Sequence, residues 1–256
     1  METVFIGHSA GLDRVDVDGT ANVEHVLESA PVAQVAVDPN DPGRVYVATL
    51  GDGVFRSNDF GGTFAHCAEV RESQCWSVAV GGAGEVYVGT EGAALLRSTD
   101  GGDTFEELAS ASHRSKRVRK ILVDEVVPDT IVVGIERSDD VYSDTTTYHL
   151  TSDAGRTWEA YFEGLPPEMA AWYGLGASAP RSLPDGTWRD PFRGNAVISE
   201  RPAPPTLAAA PSGVVYYVNE PGEIFRSPDG AETFTKVEYA DAPISGAASA
   251  VFVAAA

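Results

Sequence analysis

Four short stretches of the sequence share one pattern: Ser or Thr, any residue, Asp, any residue, Gly, any residue, Thr and an aromatic residue. They occupy positions 57–64, 98–105, 151–158 and 227–234, and the last carries Ala231 in place of the Gly. A repeated unit constrains the fold more than any single motif. The repeated positions are Ser57, Asp59, Gly61 and Thr63, then Ser98, Asp100 and Thr104, then Asp153, Gly155 and Thr157, and finally Ser227, Asp229 and Thr233.

These residue types predict a turn between two strands. An Asp side chain accepts hydrogen bonds from the amides of its own turn, and Gly adopts positive φ without strain. Three of the stretches follow an apolar run, a Gly-containing turn and a second run, which is typical of a β-hairpin. A further apolar run upstream, such as 34–37 or 77–80, gives four strands per unit. We therefore predict that the four repeated Asp residues are structural.

The pattern resembles the Asp-box, or BNR, repeat of sialidases, sortilin-type receptors and photosystem II assembly factors. The resemblance covers most of the chain and rests on the repeats alone. It implies an all-β chain folded as a β-propeller, in which each box joins the third and fourth strands of a four-stranded antiparallel blade. It also implies that the aromatic residue after each box packs between blades.

The spacing of the boxes predicts the number of blades. Successive boxes begin 41, 53 and 76 residues apart, and a blade takes about 40–45 residues. The last interval has room for nearly two blades, and 182–188 fits a decayed box. We predict six blades, with five blades and a long insertion as the alternative. The phase of the repeat predicts that 244–253 pairs with 3–7, so that both ends complete one blade of a single domain spanning 1–256.

The amino-acid composition indicates the conditions under which the protein works. Acidic residues number 38 and basic residues 18, a net charge of −20, and only three of the bases are Lys. This balance is typical of proteins that work at molar salt, where the Debye length is about 3 Å and self-repulsion is small. A surface for cations or a basic partner is the alternative explanation.

Location is predicted from what the sequence lacks. No signal peptide and no apolar stretch of about 20 residues is visible. Two cysteines, Cys67 and Cys75, suggest a reducing interior. We expect a cytoplasmic monomer without a membrane span. With His66 the cysteines match no zinc pattern, so no metal and no cofactor are predicted.

Two motifs with catalytic associations lack the context that catalysis requires. Residues 7–11 match the nucleophile elbow of serine hydrolases, but that motif needs a preceding sheet and a following helix. A sialidase would need three converging arginines, whereas Arg14, Arg56, Arg97 and Arg226 recur at one strand position, which indicates a structural or face-lining role. No catalytic residue is assigned, and a non-catalytic role is favoured over an enzymatic one.

One segment is strongly basic. Five of the 18 bases lie within 114–120, between the third and fourth predicted blades. We consider an anion-binding site formed by Arg114, Arg117, Arg119, Lys120, Trp76 and Trp172. The alternative is a solvated turn whose bases pair with Glu106, Glu107 and Glu125. Nucleic acid is excluded as a partner, because the net charge repels phosphate and no aromatic platform interleaves the bases.

Two functions from different classes follow. The first is a non-catalytic intracellular propeller that binds a protein partner or a small anionic ligand on the loop face opposite the Asp boxes. The second is a glycoside hydrolase of sialidase-like or xyloglucanase-like type, which would need two carboxylates about 5–9 Å apart. The missing export signal disfavours the hydrolase, whose polysaccharide substrates lie outside the cell.

Overall fold

The computed structural model describes residues 2–71, 73–92, 94–108, 116–123, 129–137, 146–161, 206–209, 213–219, 222–229, 231–240, 244, 248 and 250–254. These residues form β-strands and one 3-10 helix, Ala68–Val70, with no α-helix among them. Within the same ranges, no helix has the length and hydropathy of a transmembrane segment. The chain divides into two compact units, Met1–Val32 with Leu165–Ala256, and Ala33–Gly164.

Twenty strands are present in the described part of the chain. The first ten are β1 (Glu2–His8), β2 (Gly11–Asp18), β3 (Thr20–Glu28), β4 (Val32–Val37), β5 (Val45–Thr49), β6 (Val54–Ser57), β7 (Ala65–His66), β8 (Cys75–Val80), β9 (Val86–Thr90) and β10 (Leu95–Ser98). The second ten are β11 (Glu106–Leu108), β12 (Lys116–Val123), β13 (Ile131–Arg137), β14 (Thr146–Thr151), β15 (Glu159–Tyr161), β16 (Thr206–Ala209), β17 (Val215–Val218), β18 (Ile224–Ser227), β19 (Thr235–Lys236) and β20 (Ala250–Ala254).

The strands form four-stranded antiparallel sheets. Four sheets follow the chain, in the orders β4-β5-β6-β7, β8-β9-β10-β11, β12-β13-β14-β15 and β16-β17-β18-β19. The remaining sheet has the order β20-β1-β2-β3. There, Phe5 lies opposite Phe252 and Thr3 opposite Ala254. The two ends of the chain therefore share one sheet, as the phase of the repeat predicts.

The second strand of each repeat is the most buried part of its sheet. Every residue of β5 and β9 is buried, and so is every residue of β17. Side chains alternate between the two faces of a strand. A strand that is buried throughout is therefore covered on both faces, which explains why these strands are continuous apolar runs rather than alternating ones.

Each unit has its own core. In the first unit, Val4 and Ile6 of β1 pack with Tyr216 and Val218 of β17. In the second unit, one cluster includes Tyr46, Val54, Val78 and Val88. Another cluster joins Tyr87 and Leu95 to Val118 and Ile131. The apolar residues of one sheet thus fill the space against the next sheet within each unit.

The four repeated stretches form tight turns between the third and fourth strands of their sheets, and we name them the Asp turns. In the first, Ser57 Oγ accepts from the Gly61 amide at 2.9 Å and donates to Asp59 at 2.7 Å. Asp59 accepts from the amide and the hydroxyl of Thr63 at 2.8 and 2.7 Å. The same bonds to serine or threonine hydroxyls recur at Asp100, Asp153 and Asp229.

These hydrogen bonds stabilise the ionised form of each Asp. Bonds from the neighbouring hydroxyls and amides lower the pKa of Asp59, Asp153 and Asp229 to about 2. They lower the pKa of Asp100 as well. The bonds that the sequence predicts for these side chains are therefore present. The stretch 182–188, predicted as a decayed fifth turn, lies outside the described residues.

Candidate binding site around Trp76

The basic segment and a predicted tryptophan meet at one site. Arg117 Cζ lies 4.5 Å from the centroid of the Trp76 ring, and Arg119 Cζ lies 4.7 Å from it. Guanidinium groups within about 6 Å of an indole centroid are attracted to its π face. Trp76 is half-buried and Arg119 is exposed. We name the group of Trp76, Glu91, Arg117 and Arg119 the Trp76 cluster.

An acidic residue completes the cluster. Trp76 Nε1 donates to Glu91 Oε2 at 2.8 Å, and the same oxygen lies 3.0 Å from Arg117 Nε. That nitrogen is not aligned for a hydrogen bond, although the ion-pair distance is short. The partner of Arg117 is thus Glu91, an acid outside the set Glu106, Glu107 and Glu125 that the solvated-turn hypothesis named. The cluster holds two guanidinium groups and one carboxylate.

Backbone irregularities place the side chains of the cluster. The register between β8 and β9 shifts between Cys75 and Ser77, so Trp76 is the extra residue. The register between β12 and β13 shifts between Val118 and Lys120, so Arg119 is the extra residue. A β-bulge redirects side chains and is common beside functional sites. Trp76 and Arg119 therefore both lie where a regular strand pairing is interrupted.

Strands β8 and β12 approach closely below the cluster. The buried hydroxyl of Ser77 donates to the Val118 carbonyl at 2.8 Å. A Cβ atom built on Gly89 would lie 2.6 Å from that same carbonyl oxygen, so only glycine fits there. Ser77 follows Trp76, and Val118 lies between the two arginines. The hydrogen bond thus fixes the distance across which the ring and the guanidinium groups meet.

The cluster and the Asp turn lie at opposite ends of their sheet. Cys75, at the start of β8, pairs with Thr90 at the end of β9. Strand β10 begins beside that same end, with Leu95 opposite Gly89. The Asp turn follows the far end of β10. Within this sheet, Trp76 is therefore at the end away from Asp100.

The other predicted site residues have different outcomes. Lys120 lies in β12, half-buried. Arg114 and Trp172 lie outside the described residues. Glu91 is the cluster member that sequence reasoning missed. Its one sequence signal is its position directly after β9, at the sheet end where β8 begins.

The four recurring arginines do not converge on one site. They pair with acids in separate places: Arg14 with Asp16, Arg56 with Asp103, Arg97 with Glu85 and Glu106, and Arg226 with Glu2. Three of them lie opposite a tyrosine in register, at Tyr46, Tyr87 and Tyr216. These contacts indicate a structural role for the four arginines, which agrees with their recurrence at one strand position.

Two further motifs have structural rather than catalytic surroundings. Ser9 is exposed in a turn between β1 and β2, and a strand rather than a helix follows it. The nucleophile-elbow context is therefore missing at this position. Cys67 and Cys75 are buried free thiols in the core of the second unit. Burial raises their pKa values to about 11 and about 12, which keeps them protonated and unreactive near neutral pH.

Comparison with known proteins identifies the architecture. No family model matches the sequence, and no curated protein matches it. A GH74 xyloglucanase from Xanthomonas campestris is 19% identical with a TM-score of 0.50, covering 94% of this chain and 44% of its own. This likeness supports a β-propeller fold. At such identity it concerns the fold alone.

Two structures of YCF48 are also similar. YCF48 from Cyanidioschyzon merolae is 14% identical with a TM-score of 0.39, and the match covers 84% of this chain and 58% of that one. A structure of YCF48 bound to D1 peptide is 15% identical with a TM-score of 0.48, covering 80% of this chain and 81% of that one. This propeller thus spans little more than half of the Cyanidioschyzon protein.

Proposed function

We propose that this protein is a non-catalytic β-propeller that binds a carboxylate-rich partner at the Trp76 cluster, either an acidic protein segment or a small organic anion. The observation that carries the proposal is the convergence of Arg117 and Arg119 on the Trp76 ring. Their convergence places two positive charges together in a chain whose net charge is −20.

The geometry suits carboxylate recognition. Stacking on an aromatic ring uses the planar face of a guanidinium, whereas carboxylates are bound through the N–H groups in its plane. Trp76 is itself oriented by its bond to Glu91, so the ring is preorganised before any ligand arrives. A preorganised surface loses less conformational freedom on binding.

The ion pair between Arg117 and Glu91 is weak enough for a ligand to replace it. The recorded Arg117–Glu91 pair is partly exposed on both sides, and exposed pairs contribute about 0–1 kcal/mol. A ligand carboxylate can therefore compete with Glu91 for the N–H groups of Arg117.

The hydrolase alternative finds less support at this site. Glycoside hydrolysis uses two carboxylates about 5–9.5 Å apart. In the described part of the cluster, the carboxylate contacting Trp76 is Glu91, which is paired with Arg117. The xyloglucanase likeness concerns the fold and does not carry an activity to this chain.

The wider proposal concerns the whole chain. We propose one Asp-box propeller domain over residues 1–256, with six blades and ring closure through the shared sheet of β20 and β1. The spacing of 76 residues between the last two Asp turns supports the sixth blade. The pairing of Phe5 with Phe252 supports closure. The cytoplasmic location and the adaptation to high salt stay predictions from composition.

Binding of a glutamate hexapeptide, and separately of citrate, tests the proposed function. The parent and the double variant Arg117→Ser/Arg119→Ser are compared by calorimetry. Charge-assisted hydrogen bonds contribute about 1.5–3 kcal/mol each, so the double variant should bind at least ~10-fold more weakly. The matched control is Arg44→Ser, which removes a half-buried arginine paired with Asp41 in the same unit. Equal affinities of the parent and the double variant for both probes would refute the proposal.

A further inference from the structure

Three strands of the first unit bring two histidines and a carboxylate together. His8 ends β1, Asp13 lies in β2 and His25 lies in β3. Asp13 Oδ1 lies 3.3 Å from His8 Nε2 and 2.8 Å from His25 Nδ1. One donor atom from each of the three residues lies within 4.8 Å of the others.

A β-bulge creates this juxtaposition. Leu12 pairs with Leu27, but the register then shifts and Asp13 pairs with His25, leaving Val26 as the extra residue. Without the shift, Asp13 would lie opposite Val26 and His25 would point to the other face. The bulge therefore aligns an imidazole with a carboxylate that is itself fully buried.

The buried histidine has an unsatisfied nitrogen. His8 and Asp13 are both 0% exposed. His8 Nε2 lies 3.3 Å from Asp13 Oδ1 but is not aligned for a hydrogen bond, and it has no hydrogen-bond partner among the described residues. Buried polar atoms without a partner are rare and call for an explanation such as a missing ion. Asp13 Oδ1 lies within 3.3 Å of both this atom and His25 Nδ1.

We propose that His8, Asp13 and His25 bind a divalent transition-metal ion of the zinc class. Two imidazoles and one carboxylate form a ligand set used by zinc and by non-haem iron. Ligands about 2.0–2.2 Å from a tetrahedral ion lie roughly 3.3–3.5 Å apart. The His8–Asp13 distance already has this value, and the Asp13–His25 distance needs to widen by a few tenths of an ångström.

Ion binding requires a change of tautomer at both imidazoles. His25 Nδ1 donates to Asp13 Oδ1 at 2.8 Å in the ion-free form, and coordination through Nδ1 moves that proton to Nε2. His8 Nδ1 accepts from the Ala10 amide at 3.2 Å, so the ring proton of the ion-free form sits on Nε2. Coordination through Nε2 moves that proton to Nδ1, and the Ala10 amide must turn away. Ala10 is exposed in the turn between β1 and β2, where an amide can reorient without disturbing the core.

The exposure of the ligands determines what the ion can reach. The His25 side chain is 40% exposed, while the other two ligands are closed off from water. Three protein ligands leave the fourth tetrahedral position to water or an exogenous ligand. Because only the His25 side opens to solvent, that position would face outward. Mg²⁺ and Ca²⁺ are disfavoured, since they prefer oxygen ligands.

Calorimetric titration of the chelator-treated full chain with Zn²⁺ tests the proposal. About 1 M KCl suppresses diffuse binding to the acidic surface. We expect one tight site per chain, and at least ~10-fold weaker binding in His25→Gln. His25 is partly exposed, so this variant retains the fold, which circular dichroism verifies. His66→Gln is the matched control, because His66 is an exposed strand histidine outside the cluster.

Imidazole ¹⁵N spectra locate the ion independently. Zn²⁺ should shift the ring nitrogens of His8 and His25 and leave those of His66 unchanged. Mg²⁺ at the same concentration should shift neither. Absence of stoichiometric Zn²⁺ binding, or equal affinity of the parent and His25→Gln, would overturn the proposal. A shift confined to His66 would do the same.

Discussion

The guanidinium carbon of Arg117 lies 4.5 Å from the centroid of the Trp76 indole. The two residues are 41 positions apart and belong to neighbouring four-stranded sheets of one compact unit. The contact therefore depends on the packing of the sheets, which the Ser77–Val118 hydrogen bond fixes. Together with Arg119, it forms the basis of the proposed binding function.

The Ser57 hydroxyl should contribute measurably to stability. It is buried, accepts from the Gly61 amide and donates to Asp59. Ser57→Ala leaves that buried amide without its acceptor, so the free energy of unfolding should fall by about 1–3 kcal/mol. Urea unfolding measures the change. Ser29→Ala is the control, because it removes a half-buried hydroxyl that donates to the adjacent Ala30 carbonyl. Its free energy of unfolding should change by less than about 0.5 kcal/mol. Equal effects would contradict a structural role for the Asp turns.

The fourth Asp turn carries a strained residue. Ala231 occupies the position of the repeated glycine and has a φ of +74°. A non-glycine residue in this region costs about 1–2 kcal/mol. Ala231→Gly should therefore raise the free energy of unfolding by about 1 kcal/mol, although the added chain entropy of glycine reduces the gain. The reciprocal change, Gly61→Ala, should lower it, because Gly61 has a φ of +75°. The strain assignment would be wrong if thermal melts showed that Ala231→Gly destabilises the protein and Gly61→Ala stabilises it.

Acid should destabilise the protein through the Asp turns. The folded pKa of Asp59 is lowered to about 2 from 3.8, so the ionised form is favoured by folding. The resulting stability is fully present above pH ~4 and is lost as pH falls toward 2. Asp59→Asn cannot ionise, so it should show a shallower loss of stability across that window. Identical pH profiles for the two proteins would show that Asp59 does not contribute.

Stability should also rise with salt. Acidic residues exceed basic ones by twenty, and repulsion between exposed charges grows as screening falls. Thermal unfolding is measured in ~0.1 M and in ~2 M KCl, and the midpoint temperature should be higher in ~2 M KCl. A midpoint that does not change would remove the salt-adaptation hypothesis and favour a functional acidic surface.

The repeated strands were predictable because their signals are local. Apolar runs, turn glycines and Asp-turn residues lie within a few positions of one another, so the hairpin around Ser57 and Asp59 follows from the sequence. The pairing of 3–7 with the C-terminal strand followed from the phase of the repeat. The described part of that strand is Ala250–Ala254, within and just beyond the predicted range 244–253.

The site was only partly predictable. The concentration of bases indicated Arg117 and Arg119, and Trp76 was placed beside them. Glu91 could not be chosen, because its contact depends on how β8, β9 and β12 meet. The bulges at Trp76 and Arg119, and the one that aligns Asp13 with His25, depend on the register between strands. A single sequence does not specify that register.

Direct observation of Trp76 during ligand binding tests the central claim. In ¹⁵N-labelled protein titrated with a glutamate hexapeptide, the Trp76 indole N–H and the Arg117 Nε–H signals should shift together and saturate. Trp158 is an internal control, because its indole donates to Gly155 within an Asp turn, and its signal should not move. Unshifted Trp76 and Arg117 signals at saturating peptide, or shifts at Trp158 instead, would contradict the assignment of the binding site.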